Sequence, residues 1–174
     1  MGGRYPFTET GERVVSDAID QAAGLTPQDA LYQTRRLRPE FVDGAEQCRQ
    51  SVLTPAEDQS LATGLRLALA LRMAKLNDDA GLQRDYQAQL AQHQPSAELQ
   101  ALAEGAVPAG EPLATIARHT DLITQQPMQA TEHHIRLLEQ AGLTHPQIVA
   151  LSELIAFVNF QTRVAAGLRL LRSA

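Results

Sequence analysis

Cys48 is the one side chain in this sequence that could act as a thiol nucleophile. Arg49 stands beside it, and a neighbouring guanidinium lowers a thiol pKa by favouring the thiolate. The position falls inside a predicted helix, however, with no histidine close in sequence, so a packing role is the expected one. A single cysteine also rules out an intrachain disulfide. His133 and His134 suggest metal binding, with Glu132 and Glu139 nearby. Adjacent helical residues project about 100° apart, so these two cannot chelate one ion as an i, i+4 pair can. Solvent-exposed or interface histidines are expected instead, and His134, three residues after Thr131, is placed to help cap its helix. His119 lies on the helix that should pack beside the last one. No metal ligand set, glycine-rich phosphate loop or zinc spacing is found, and no cofactor is expected.

Asn159, Gln161 and Arg163 interrupt an otherwise apolar run. Asn159 and Arg163 are one helical turn apart and share a face. Polar groups buried there are costly unless paired, so Glu153 or Asp121 is the expected partner. Two readings follow: a polar network fixing helix register or a subunit contact, or the polar lining of a ligand pocket. Arg35-Arg36 and Arg38 form a small basic cluster. It falls at a predicted helix C-terminus, where cations are favoured by the helix dipole, and a solvated helix end is expected there.

The elements that must position these residues are helices. Of 174 residues, 44% are hydrophobic but only 4% aromatic, so Leu, Ala, Val and Ile must fill the interior. Ala and Leu are strong helix formers, and β-branched runs are short. The formal charge is −5, and Lys75 is the only lysine among fifteen cations. An acidic chain argues against nucleic-acid and anionic-membrane partners, which need clustered positive charge. The N-terminus lacks a signal-like apolar core, and the apolar helices are broken by charges, so a cytoplasmic protein is expected.

Residues 1–11 read as a polar arm, followed by a helix from Glu12 to Ala23 that Gly24 ends. Thr26-Pro27-Gln28-Asp29 restarts a helix ending near Arg38-Pro39. A third helix spans Glu40 to Val52. Thr54-Pro55-Ala56-Glu57 is the strongest capping signature and predicts a long helix to about Leu76. Asn77-Asp78-Asp79 breaks it, Asp79 caps Ala80 to Gln92, and Ala97 to Ala103 follows. Residues 105–112, rich in Gly and Pro, read as a linker between two helical halves of one domain. Leu113 to Thr124, Glu132 to Ala141 and a final helix from the Thr144-His145-Pro146-Gln147 start to about Leu171 complete an all-α chain of eight or nine helices. The last helix is roughly 39 Å long. Its first part is apolar all round and must be surrounded.

The run Leu122-Ile-Thr-Gln-Gln-Pro127, the Thr131 helix, Ala141-Gly-Leu-Thr144, Ile148-Val149 and Leu154-Ile-Ala-Phe-Val-Asn-Phe160, with Arg163 and Gly167-Leu168, resembles the C-terminal part of the alkylhydroperoxidase D-like (AhpD-like) family. That family belongs to the carboxymuconolactone decarboxylase superfamily, and the likeness is closest to its peroxidase-related members. The resemblance implies an orthogonal all-α bundle that assembles into homo-oligomers, often trimers or hexamers. It also implies a Glu, a Cys-x-x-Cys pair and a His four residues beyond, which relay electrons and protons. If the first cysteine follows Asn77 at the family's spacing, the cysteines fall at Asp79 and Leu82, the histidine near Tyr86 and the glutamate near Leu67. None matches. The expected function is therefore a family member without the dithiol site, binding a small apolar ligand or supporting a partner enzyme. The alternatives are an antioxidant enzyme using Cys48 with an external thiol, a decarboxylase-type enzyme using His119 or His133 as base, and a subunit that packs against a catalytically complete paralogue.

Overall fold

The computed structural model describes residues 17–173. Within them the chain forms nine α-helices: α1 Ala18–Ala23, α2 Ala30–Arg35, α3 Pro39–Leu53, α4 Thr63–Leu76, α5 Ala80–Gln92, α6 Ala97–Ala103, α7 Leu113–Gln125, α8 Glu132–Gln140 and α9 His145–Ser173. A 3-10 turn, Pro127–Gln129, joins α7 to α8, and no strand occurs among the described residues. The all-α expectation and the long apolar terminal helix are borne out. The polar arm and residues 12–16 of the first predicted helix lie outside the described residues.

α4 is the axle of the fold. Its residues from Arg66 to Ala74 are buried without interruption, so no face is left for water. A helix apolar all round must be encircled, and α3, α5, α6, α7 and α9 pack against it. The apolar stretch of α9 is long enough to cross a membrane, but most of it is buried inside this bundle. Ala68, Ala70 and Ala74 on α4 are fully buried and permit these close approaches. Gly81 does the same on α5: a Cβ there would lie 2.6 Å from the backbone of Ala22.

Two arginines buried on α4 hold the surrounding chain by hydrogen bonds to carbonyls. Arg72 donates from Nε and Nη2 to the Asp121 carboxylate at 2.6 and 2.7 Å. Its Nη1 donates to the carbonyls of Leu102 and Ala106 at 2.9 and 2.8 Å. One side chain thus joins α4, the end of α6 and α7 across the 105–112 segment. Arg66 donates to the carbonyls of Leu61, Val52 and Asp58 at 2.7, 2.9 and 2.8 Å.

Arg66 explains the largest departure from expectation. The Thr54 capping signature starts no helix. α3 instead runs to Leu53, the Thr54 hydroxyl donates to the Gln50 carbonyl at 3.2 Å, and residues 54–62 form a loop. That loop carries Gln59 and Ser60 at φ 53° and 60°. Backbone carbonyls buried in a loop need partners, and the Arg66 guanidinium supplies them, so tertiary donors outcompete the local cap. At Asp79 and Thr144 the side-chain contacts are as read. Asp79 accepts from Leu82 N–H at 3.0 Å, and Thr144 N–H donates to Gln147 Oε1 at 2.8 Å. Thr26 N–H donates to Asp29 Oδ2 at 2.6 Å, although α2 itself begins only at Ala30. The Arg35–Arg36 cluster is no solvated helix end. Arg35 pairs with Asp17 at 2.8 Å and with Asp20, and Arg36 pairs with Asp20 at 2.7 Å, both aspartates being buried. These pairs clamp α2 to α1.

Removing one member of a buried, hydrogen-bonded ion pair costs about 3–5 kcal/mol. Arg72→Leu is expected to lose at least ~3 kcal/mol in urea denaturation, because Asp121 and two carbonyls lose their donor together. Asp121→Asn, at the more exposed end, is expected to lose less. Equal stability of Arg72→Leu and the parent protein would contradict the role given to this residue.

Candidate functional site

Asp121 and His119 lie two residues apart on α7, roughly 200° around the helix at 3.6 residues per turn. With Asp121 drawn onto Arg72, His119 turns away from α4 towards α8 and α9. It is only 6% exposed, and its Nδ1 is buried with no hydrogen-bond partner. Burial pushes the imidazole pKa below its ordinary value, and the neighbouring His134 adds to the effect, which keeps the ring neutral near pH 7.

α8 brings His134. Thr131 N–H donates to His134 Nδ1 at 3.1 Å, completing a capping box in which histidine replaces the usual Glu or Gln. Because Nδ1 accepts, the ring proton sits on Nε2. His133 stacks edge-on against His134 at 5.9 Å between centroids, but it is exposed and does not line the cleft described below. No group of three His, Cys, Asp or Glu side chains converges as a metal site among the described residues.

α9 supplies Ser152, Ile155, Ala156, Asn159 and Arg163 at spacings of three and four, one continuous stripe. These residues face His119, Ile123, Thr131, Glu132, His134 and Ile135 across a cleft of ≈ 630 Å³. His119 therefore shares one concavity with Asn159 and Arg163, the pair that the sequence placed on one face. Asn159 is the most firmly held. Its amide donates to the Ile155 carbonyl at 2.9 Å and to Thr124 Oγ at 3.3 Å, while Asn77 Nδ2 donates to its Oδ1 at 3.1 Å. This network fixes the register of α9 against α4 and α7 as well as finishing the cleft floor. Arg163 is exposed at the rim and pairs with no carboxylate among the described residues.

The expected partners of Asn159 and Arg163 are not theirs. Asp121 belongs to Arg72, 49 residues away in sequence. Glu153 lies on another face of α9, exposed in an open apolar groove of ≈ 620 Å³ between α3 and α9. That groove also holds Cys48, with Phe41, Phe157 and Phe160. Cys48 is exposed and does not pack in the core. Nor does Arg49 activate it: the guanidinium is engaged with Asp85 and with Glu46 at 3.7 Å. Partial burial first, and the Glu153 charge second, push the Cys48 thiol pKa up, the wrong direction for a nucleophile at neutral pH. Ala156 lines both the groove and the cleft.

The positions where the dithiol relay would fall are occupied by framework residues. Asp79, 1% exposed, caps α5 and pairs with Arg169 at 3.0 Å. Leu67 and Leu82 are buried in the core. The Tyr86 hydroxyl, also buried, donates to Gln161 Oε1, and desolvation raises its pKa well above the phenolic range. No group at these four positions is free to exchange protons or electrons with a substrate.

No family model and no curated protein matches the sequence. Among solved structures, an uncharacterized peroxidase-related protein from Silicibacter sp. TM1040 superposes with a TM-score of 0.59. The match covers 88% of this chain and 92% of that one, at 14% identity. The likeness is one of fold. The chain has the all-helical arrangement of a peroxidase-related protein, and at that identity no residue role passes from one to the other.

The sequence did not reveal Ile123, Ile135, Ser152 and Ile155 as cleft residues. Ordinary apolar periodicity is all that marks the three isoleucines, nothing marks Ser152, and only the packing of α7 and α8 on α9 brings the four together. The thiol's setting is open to measurement. Alkylation of Cys48 by iodoacetamide at pH 8 is expected to run slower than that of a free cysteine peptide and to speed up in Glu153→Gln, whose lost charge lets the thiolate form more easily. Identical rates in parent and variant would remove Glu153 from the account.

Proposed function

We propose that this protein is an AhpD-like, peroxidase-related member of its fold without a dithiol site, which binds a small molecule in the α7–α8–α9 cleft. The cleft carries the reading. It brings buried polar groups and aliphatic walls together at a volume within the range of small-molecule sites, about 300–1,000 Å³. The single cysteine supports the rest, since a self-contained dithiol cycle needs two sulfurs. The elevated thiol pKa argues against a one-cysteine peroxidase, and the exposed position of His133 argues against that residue as a buried base. The resemblance adds a homo-oligomer as the working assembly, and the acidic composition suits a cytoplasmic protein without nucleic-acid or membrane partners.

Two measurements test this. With hydrogen peroxide and either dithiothreitol or a monothiol, the protein is expected to consume peroxide no faster than buffer. Turnover well above that level, abolished by Cys48→Ser, would refute the reading. For binding, the chain has no tryptophan, so Ile135→Trp places a single tryptophan, excited at 295 nm apart from the tyrosines, on the cleft wall. Titration with 1-octanol is expected to shift its emission saturably, with a Kd between about 0.1 and 10 mM for so small a ligand. A linear, unsaturating response would count against a defined site.

A further inference from the structure

We infer that the cleft selects a small monocarboxylate, gripping the acid group at Arg163 and laying an aliphatic body against Ile123, Ile135 and Ile155. This rests on the reading of the cleft as a ligand site and adds the chemistry of the head group.

The charge inventory of the cleft points one way. Its carboxylate among the described lining residues is Glu132, and that charge is compensated by Arg136 at 2.7 Å one turn along α8. Its cation is Arg163, exposed and without a carboxylate partner among the described residues. A cationic ligand would meet that guanidinium unfavourably, and a purely apolar one would leave it unused. A planar carboxylate matches the guanidinium fork and can accept two parallel N–H bonds from it.

The remaining polar groups are donors or neutral. Thr131 N–H holds His134 Nδ1 as an acceptor, so His134 offers an Nε2–H. His119 is a buried imidazole with Nδ1 unpartnered, and its preference for the neutral form lets it donate one N–H without adding charge. Ser152 donates its one hydroxyl proton to the Ile148 carbonyl at 2.8 Å, so it adds no charge and no donor to the cleft. One permanent cation with neutral donors balances a single negative charge. Sites for phosphate dianions draw on several cations or a run of free backbone N–H groups, and this cleft has one arginine. Apolar side chains from three elements form the rest of the wall, which suits a hydrocarbon body.

The test compares octanoate with 1-octanol, which share chain length and differ in the head group, by equilibrium dialysis against the unsubstituted protein at pH 7.5. Octanoate is expected to bind at least tenfold more tightly than octanol. In Arg163→Gln that preference is expected to vanish, with octanoate falling at least tenfold and octanol unchanged, while Arg163→Lys retains part of it. Arg163 is exposed, so the variants are expected to melt with the parent protein. Equal binding of both compounds by the parent, or an octanoate affinity indifferent to Arg163→Gln, would overturn the carboxylate inference and leave the ligand cleft standing. Binding of neither, with Arg163→Gln dissociating an oligomer on gel filtration, would assign the cleft to a subunit contact and overturn both.

Discussion

The Arg72 guanidinium, buried on a helix that has no solvent face, is the constraint from which the rest of this structure follows. A charge in such a place is tolerated only when it is paired and hydrogen-bonded, and here four N–H donors find partners on three separate stretches of chain. Satisfying them closes the end of α6, spans the Gly- and Pro-rich segment and sets the rotation of α7. Once Asp121 is committed to α4, His119 can only face the opposite way. The orientation of the cleft is therefore decided at a point that is not part of it. Arg66 does comparable work at the other end of α4, collecting one carbonyl from the last turn of α3 and two from the loop that follows it.

The α4–α5 corner is packed framework. Asp79 caps a helix and anchors Arg169, and Tyr86 holds Gln161. Gln161 and Asn159 are two residues apart on α9, and through them this helix is tied to α5 on one side and to Asn77 and Thr124 on the other. Polar groups in the core thus serve register at one end of α9 and accessible chemistry further round it. The framework corner and the cleft are built from different faces of the same helices, so one can be packed solid while the other stays open.

Much of this architecture was legible in the residues. The caps at Asp79, Thr131 and Thr144 act through neighbours three positions away, so their geometry is local and reads directly from sequence. The apolar run of α9 and the alanines of α4 likewise announce burial. What could not be read was every feature decided by a distant partner. The Thr54 signature is locally sound and loses to a guanidinium twelve residues on. Arg35 and Arg36 look like a solvated end until Asp17 and Asp20 are folded against them. Asp121 is separated from Arg72 by the very segment that the pair bridges. The exposure of Cys48 depends on how far α3 stands from α9. For the cleft, the polar members were visible as breaks in an apolar pattern, whereas its aliphatic wall was indistinguishable from core.

Ala156 is a single methyl on the ridge that separates the apolar groove from the cleft. Two hollows of ≈ 620 and ≈ 630 Å³ consequently adjoin along neighbouring faces of one helix. Residue size on that ridge is a shared currency: bulk added for one compartment is projected towards the other, and trimming to enlarge either thins their common partition. Redesign of α9 for a larger guest would have to treat both compartments as a coupled pair of volumes.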